Sequence, residues 1–164
     1  EIARCMAMRG AEVFLHPTSE NGSSIPTFKD IAKQARAIEN MAYVVSCNTG
    51  GLHDIDLPED AGNGSSRIID YRGLILRQAG WGETINASAE IDLNALRRER
   101  RKPGMNNYLT RLRNEAFAAT YAQTSVQPAN TLLNADGSLK TPDRAHFASQ
   151  QANVIESLIK RGAI

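Results

Sequence analysis

The sequence predicts an α/β fold built on a mixed sheet, followed by a helical C-terminal extension. Helical and strand patterns alternate along the first part of the chain, which is typical of layered α/β domains. Two short apolar segments joined by a tight turn predict an antiparallel hairpin, and this hairpin argues against a purely parallel sheet. The chain has 164 residues, which is enough for one domain with a core of useful size.

The first elements are a helix and a short strand. Apolar residues recur at helical spacing over about residues 2–9, and Gly10 can adopt the left-handed conformation that ends a helix. Residues 12–16 then form a short apolar run that is typical of a buried strand. Pro17 is expected to end this strand, since proline cannot donate to a β-ladder. The polar residues 18–26 predict a loop.

The second helix has the clearest sequence signals. Thr27 is a favourable N-cap, and Asp30 stands where a capping box places an acidic residue. Five apolar residues fall on one face at steps of three and four, which predicts an amphipathic helix. They are Phe28, Ile31, Ala32, Ala35 and Ile38. The next segment, residues 42–47, is nearly all apolar and contains β-branched residues, which predicts a strand covered on both faces.

A long loop and three further strands are predicted next. The loop covers residues 49–64 and is rich in Gly, Asp and Pro. Loops of this length inside compact domains are often functional. Residues 67–70 and 74–77 are predicted to pair as a hairpin, with Gly73 supplying the turn. A third strand is predicted over residues 84–91.

The remaining elements are predicted to be helical. Asp92 caps a short helix that ends in the basic residues 100–102, and Pro103 breaks it. Helical spacing returns over residues 105–121, and a last helix carries apolar residues over 147–159. Residues 1–102 therefore form the predicted domain, and residues 103–164 form an extension expected to pack on that domain or on a partner subunit.

Composition excludes some classes of partner. Nineteen Lys and Arg residues stand against eighteen Asp and Glu residues, so the overall charge does not favour nucleic acid or an anionic membrane. No stretch approaches the length of a membrane span. Cys5 and Cys47 do not form a disulfide framework and are interpreted as buried structural thiols. A reducing, cytoplasmic setting is therefore expected.

Three local patterns have a functional interpretation and a simpler alternative. His53, with Asp54 and Asp56 beside it, could suggest a metal site, but such crowded residues in one loop are more typical of solvated charges. The glycine-rich residues 62–66 could suggest a phosphate loop, although they lack its lysine and lead into a strand. The basic residues 97–102 could suggest a nucleic-acid patch, but a solvated helix end explains them better.

Several segments, taken together and in order, resemble motifs of the nitrilase superfamily of carbon–nitrogen hydrolases. The match covers roughly residues 1–102. The matching segments are Glu1-Ile2-Ala3-Arg4 at the end of C-Y-D-x-x-F-P-E-x-x-R, Gly10-Ala11-Glu12-Val13, Arg36-Ala37-Ile38-Glu39-Asn40 for R-A-x-E-N, Asn48, residues 64–73 for G-x-S-x-I-x-D-x-x-G, and Glu90-Ile91-Asp92-Leu93 followed by arginines.

The resemblance implies half of a four-layer α-β-β-α sandwich and a Cys-Glu-Lys catalytic group. In that chemistry a cysteine thiolate attacks an amide or nitrile carbon, a glutamate moves protons, and a lysine stabilises the developing charge. The family's cysteine belongs shortly before the segment that starts at Glu1, and its glutamate and lysine lie further upstream. We therefore assign no catalytic residue here and expect this chain to be the C-terminal half. No metal or cofactor is expected.

The resemblance also implies a homodimer or a higher homo-oligomer. In the family, the helices that correspond to residues 2–9 and 27–40 pack against a partner subunit. A half-sandwich would in addition leave one face and one edge of its sheet unpaired.

Three residues are candidates for binding a small amide, carbamoyl compound or nitrile substrate. His16, Thr18 and Asn48 stand at the carboxyl ends of predicted strands, where ligands gather in open α/β sheets. His16 could instead be bonded within a loop, and the Asn48 amide could order the loop that follows it. The predicted function is hydrolysis of a non-peptide carbon–nitrogen bond by the complete protein. A non-catalytic assembly module with the same fold is the alternative.

Overall fold

A computed structural model describes residues 1–20, 27–62, 64–124 and 127–164. These residues divide into two compact units, Glu1–Leu112 and Arg113–Ile164. The elements of the first unit, in chain order, are α1 (Ile2–Met8), β1 (Val13–Thr18), α2 (Phe28–Asn40), β2 (Tyr43–Asn48), β3 (Arg67–Ile69), β4 (Ile75–Gln78) and α3 (Leu93–Arg101). Within the described ranges, no helix has the length and apolar character needed to cross a membrane.

The four strands form one mixed sheet in the order β1-β2-β3-β4. β1 and β2 are parallel, with Phe14 opposite Val44, and α2 provides the crossover between them. β2, β3 and β4 are antiparallel neighbours, and Val44 is opposite Ile69. The predicted mixed sheet and the predicted hairpin are therefore confirmed.

One face of the sheet is covered by α1 and α2. Ala37 of α2 packs on Val44 and Ile69, with Phe14 at the edge of this cluster. The small Ala37 side chain lets the helix lie close to the strands.

The buried side of α2 differs from the predicted apolar face. The predicted capping box is present, since Asp30 N donates to Thr27 Oγ1 and Thr27 N donates to the Asp30 carboxylate. Phe28 and Ile31, however, are 78% and 64% exposed. The buried residues of the helix are Asp30, Lys33, Ala37 and Asn40. Ion pairs within the domain, described below, compensate the charges on this side.

The opposite face of the sheet is covered at one end only. There Met41 and Tyr43 pack against Leu96 of α3. Further along this face Leu15 is 76% exposed, and Cys47 is exposed as well. The prediction that β2 is covered on both faces is therefore wrong at its carboxyl end, where Cys47 is exposed.

The predicted burial of both cysteines is also wrong. Cys5 is an exposed free cysteine on α1, and Cys47 lies on the uncovered end of the sheet. An apolar neighbourhood in the sequence indicated burial for each thiol, but burial requires a covering layer that the sequence of one element cannot specify.

Two predicted strand boundaries are corrected. Pro17 lies inside β1, opposite Cys47, rather than after it. Since β1 is at the edge of the sheet, a residue without an N–H is tolerated there. Residues 84–91 form no regular strand. Alternation of side chains favours a strand only when a neighbouring strand supplies hydrogen bonds, and none of the described strands pairs with this segment.

The turn of the β3–β4 hairpin is held by Asp70 and Gly73. Asp70 is buried, and its Oδ1 accepts from Arg72 N and Leu74 N, both at 2.9 Å. Gly73 has φ of +82°, and a Cβ at this position would lie 2.4 Å from Ile38 Cγ1. The hairpin turn therefore packs directly against α2, and a side chain at residue 73 would require Ile38 to move.

Two arginines of the basic run tie α3 to the start of β1. Arg97 donates from Nε and Nη2 to the two carboxylate oxygens of Glu12, both at 2.8 Å. Arg100 donates to Ala11 O at 2.7 Å and to Met41 O at 2.9 Å. The interpretation as a solvated helix end therefore does not extend to Arg100, whose burial lowers its pKa.

Acid is expected to weaken this link. The hydrogen bond from Arg97 holds the pKa of Glu12 below its ordinary value. A depressed pKa contributes stability above the unfolded pKa of about 4.3, and this contribution is lost as pH falls through the folded value. Urea midpoints measured from pH 7 to pH 3 should therefore fall less for Glu12→Gln than for the unaltered chain.

The control for this experiment is Glu115→Gln, which removes a carboxylate from the second compact unit. It should leave the pH dependence of the first unit's transition unchanged. An equal acid sensitivity for Glu12→Gln and the unaltered chain would contradict the proposed contribution of the pair.

Residues 103–112 belong to the first compact unit. Asn107 Nδ2 donates to Arg100 O at 2.8 Å and to Lys102 O at 3.1 Å, and Leu109 packs on the cluster around Leu96. The helix predicted over residues 105–121 is present only in its second half.

The second unit contains two helices, α4 (Asn114–Gln123) and α5 (Arg144–Lys160). Asp143 caps α5 by accepting from His146 N at 2.8 Å, and Gly162 follows with φ of +66°. The last predicted helix is therefore confirmed.

Candidate functional site

A cavity of about 300 Å³ lies among α1, β1 and α2, at the carboxyl-terminal end of β1. Its floor is apolar and its wall carries charged and polar side chains. The apolar lining residues are Ala3, Phe14, Ala32 and Val44; the others are His16, Thr18, Glu20, Lys29, Lys33 and Arg36. The parallel pairing of β1 with β2 creates this geometry, because α2 must cross over the sheet between them.

Beside the cavity lies a cluster of four buried charged residues, which we call the charge quartet: Glu20, Asp30, Lys33 and Arg67. Each is between 2% and 6% exposed. Lys33 Nζ donates to Glu20 Oε2 at 3.0 Å, and Arg67 Nη2 lies 2.9 Å from Asp30 Oδ1. Lys33 Nζ is also 3.9 Å from Asp30 Oδ1. Two carboxylates thus balance two cations away from solvent.

One atom of the charge quartet is incompletely satisfied. Asp30 Oδ1 is near two cations, but it accepts no well-formed hydrogen bond from the described residues. A buried oxygen of this kind is compensated by charge rather than by directional bonding, and such an arrangement is sensitive to loss of either cation.

His16 and Thr18 both line the cavity, as their positions at the end of β1 suggested. His16 Nδ1 is 3.1 Å from Ser46 Oγ on the adjacent strand. Thr18 Oγ1 donates to Glu20 Oε1 at 3.2 Å. Their role in substrate binding stays a prediction, but the structure brings the two side chains to one cavity.

Asn48 is opposite Thr18 in the strand register but is not among the residues that line the cavity. Its Oδ1 accepts from Glu20 N at 2.7 Å, and its Nδ2 donates to Gly64 O at 3.0 Å. Both ends of the amide are therefore occupied by backbone groups. This geometry fits the interpretation that Asn48 orders the adjacent loops.

Comparison with known proteins identifies the family. The family model described as "Carbon-nitrogen hydrolase" matches residues 1–101, which is more than half of the chain. The chain belongs to the carbon–nitrogen hydrolase family.

Curated members of this family include amidases. The human protein "Deaminated glutathione amidase" is 32% identical over 101 residues, covering 62% of this chain and 30% of that protein. The mouse protein "Omega-amidase NIT2" is 32% identical over 96 residues, covering 58% of this chain and 33% of that protein. The chain thus spans about a third of the length of these relatives.

Solved structures of family members share the fold. The nitrilase-superfamily protein Nit3 from Saccharomyces cerevisiae is 26% identical with a TM-score of 0.50, covering 61% of this chain and 35% of that one. A carbon-nitrogen hydrolase from Helicobacter pylori is 25% identical with a TM-score of 0.55, covering 73% of this chain and 44% of that one. The mixed sheet and its helices therefore agree with half of a nitrilase-type sandwich.

Sequence reasoning missed the charge quartet of this family member. Asp30 was recognised only as part of the capping box, while Glu20, Lys33 and Arg67 received no role. The sequence does contain a weak signal for a buried charged pair, since Asp30 and Lys33 share a helix face with the small residue Ala37. The pairing of that face with Arg67 depends on the sheet register, which the helix pattern alone does not predict.

The alternative site patterns find simpler explanations in the structure. His53 Nδ1 is 3.5 Å from a Glu59 carboxylate oxygen, and both side chains are largely exposed. Among the described residues, no group of three His, Cys, Asp or Glu side chains could hold a metal ion.

The glycine-rich segment packs against backbone, although Asn63 within it lies outside the described residues. A Cβ on Gly62 would lie 2.3 Å from Gly50 O, and a Cβ on Gly64 would lie 2.7 Å from Gly82 N. These glycines therefore allow close approach between loop segments, which explains their presence without a bound phosphate.

Proposed function

We propose that this chain is part of a hydrolase that cleaves non-peptide carbon–nitrogen bonds in a small amide, carbamoyl compound or nitrile. The observation that carries the proposal is the family match over residues 1–101. The names of the human and mouse relatives, both amidases, favour an amide. In this proposal a cysteine thiolate makes the attack, assisted by a glutamate and a lysine. These three residues belong to segments of the protein outside these 164 residues.

The chain contributes one wall of the substrate pocket. His16 and Thr18 line the cavity at the end of β1, where a carbonyl or amide group can meet a hydroxyl and an imidazole. Asn48 acts indirectly, because it holds the backbone of Glu20 and so fixes the carboxylate that receives the Thr18 hydrogen bond.

The same proposal includes two surfaces for assembly. The uncovered end of the sheet, with Leu15 and Cys47, receives the other half of the sandwich. The exposed apolar residues of α1 and α2 pack on a second copy of the protein; these are Ile2, Met6, Phe28 and Ile31. The extension packs on the domain or on that second copy.

The alternative is a non-catalytic assembly module with the same fold, and the positions of the two cysteines are compatible with it as well. The chain's two cysteines, Cys5 and Cys47, are both exposed, and neither is among the residues that line the cavity. A protein whose remaining segments also lacked a cysteine nucleophile would keep the fold and the assembly surfaces without the chemistry.

The natural polypeptide that carries these residues is expected to release ammonia from members of a panel of small amides and nitriles, while the 164-residue chain alone releases none. Cys5→Ser is the matched control, because this cysteine does not line the cavity and its loss should leave ammonia release unchanged.

Light scattering of the same preparation should give the mass of a dimer. Dimers that release no ammonia would favour the assembly module, and monomers would contradict the assembly proposal.

A further inference from the structure

The cavity wall has one uncompensated positive charge. Glu20 is paired with Lys33, and Arg36 donates to the Glu39 carboxylate. Lys29 also lines the cavity, and no acidic side chain among the described residues lies within ion-pair distance of it. The cavity therefore presents a net charge of about one positive unit to a ligand at neutral pH.

Lys33 adds directed hydrogen-bonding capacity. An ammonium group has three N–H donors. Within the described part of the chain, Lys33 Nζ donates only one hydrogen bond, to Glu20. Its contact with Asp30 at 3.9 Å is too long for a hydrogen bond. Lys33 is also held in place by these two carboxylates, so its unused donors are preorganised beside the cavity.

The floor of the cavity is apolar, while His16 and Thr18 add polar groups to its wall. Phe14, Val44 and Ala32 form a floor without hydrogen-bonding groups, and the volume of about 300 Å³ is at the small end of the range for ligand sites. A ligand that matches this wall has a single negative charge at one end and a short hydrocarbon body at the other.

We propose that this cavity binds a small monocarboxylate, with the carboxylate on Lys29 and Lys33 and the hydrocarbon on Phe14 and Val44. The binding does not require the proposed hydrolase activity, and the ligand can be part of a substrate or a separate regulator. Both share the carboxylate chemistry.

The test is titration of the 164-residue chain with sodium butyrate, followed by calorimetry and by amide NMR shifts. Butyrate is expected to bind with a dissociation constant on the order of millimolar, and Lys29→Gln should weaken binding about tenfold. The matched control, Lys140→Gln, changes the net charge equally in the second compact unit and should not affect binding. Ala32→Leu, which fills the floor with a helix-forming residue, should abolish binding.

Butyramide, the neutral analogue of butyrate, tests whether the charge is recognised or only the hydrocarbon is buried. It should bind at least tenfold more weakly than butyrate. Butyramide binding as tightly as butyrate would overturn the proposal, as would unchanged affinity in Lys29→Gln or shifts confined to residues away from the cavity. Tighter binding of inorganic phosphate at the same residues would replace the carboxylate assignment.

A last experiment shows whether the carboxylate belongs to a substrate or to a separate regulator. Competitive inhibition of ammonia release by butyrate would place the carboxylate in the substrate pocket, and binding without inhibition would indicate a separate regulator. Binding is measured on the chain alone, and ammonia release is measured on the natural polypeptide. A failure of carboxylate binding therefore does not contradict the proposed hydrolase, and a failure of ammonia release does not contradict carboxylate binding.

Discussion

Lys33→Met is expected to lower the free energy of unfolding by about 3–5 kcal/mol, which is the usual cost of removing one partner from a buried ion pair. The substitution keeps an unbranched side chain one atom shorter than lysine but removes the ammonium that compensates Glu20 at 3.0 Å. It also leaves Asp30 Oδ1 with Arg67 as its only described cation. Urea denaturation of the chain, followed by circular dichroism, measures the loss.

A double substitution tests the cause. Glu20→Met with Lys33→Met removes both charges of the pair and should recover most of the stability that Lys33→Met loses, because no uncompensated carboxylate remains there. Lys29→Met is the matched control, since the same chemical change occurs at an exposed lysine one turn earlier on α2. A double variant as unstable as the sum of its single variants would show that the charges do not act as a pair.

Gly73→Ala is expected to cost about 2–5 kcal/mol. A left-handed conformation costs a residue with a Cβ about 1–2 kcal/mol, and overpacking adds about 1–3 kcal/mol. Both costs apply here, since φ is +82° and the new Cβ would lie 2.4 Å from Ile38 Cγ1. The measurement is again the urea midpoint of the first unit.

The two costs can be separated within the same unit. Gly82 has φ of +65°, and a Cβ there would meet nothing within 4 Å, so Gly82→Ala should show the conformational cost alone. Combining Gly73→Ala with Ile38→Ala should remove the steric part, so the double variant should be less destabilised than the sum of its single variants. Equal losses for Gly73→Ala and Gly82→Ala would mean that the contact with Ile38 relaxes without cost.

The sequence was sufficient where the determinants of structure are local. The Thr27–Asp30 capping box, the Asp92 cap of α3 and the positive-φ Gly73 of the hairpin each act within a few residues. The resemblance to carbon–nitrogen hydrolases supplied the family and the half-sandwich, and two of its motifs contain the Gly73 turn and the Asp92 cap.

The sequence was insufficient where distant segments decide the outcome. The ion pair between Asp30 and Arg67 joins α2 to β3, and it forms only once the sheet register is set. For α2, the apolar spacing does not show which residues face the sheet, since it cannot show that Lys33 has a buried carboxylate to meet. The strand predicted over residues 84–91 failed for a related reason, because pairing depends on a neighbour.

Pro17 has a consequence for how copies of this chain behave in solution. Glu12 O accepts from Tyr43 N, so by the alternation of a strand the backbone groups of Val13, Leu15 and Pro17 point away from β2, toward the outer edge of the sheet. Exposed edges with apolar side chains such as Leu15 are templates for fibril-like stacking of one molecule on another. Pro17 removes a donor from that edge, so this edge strand carries its own protection against aggregation.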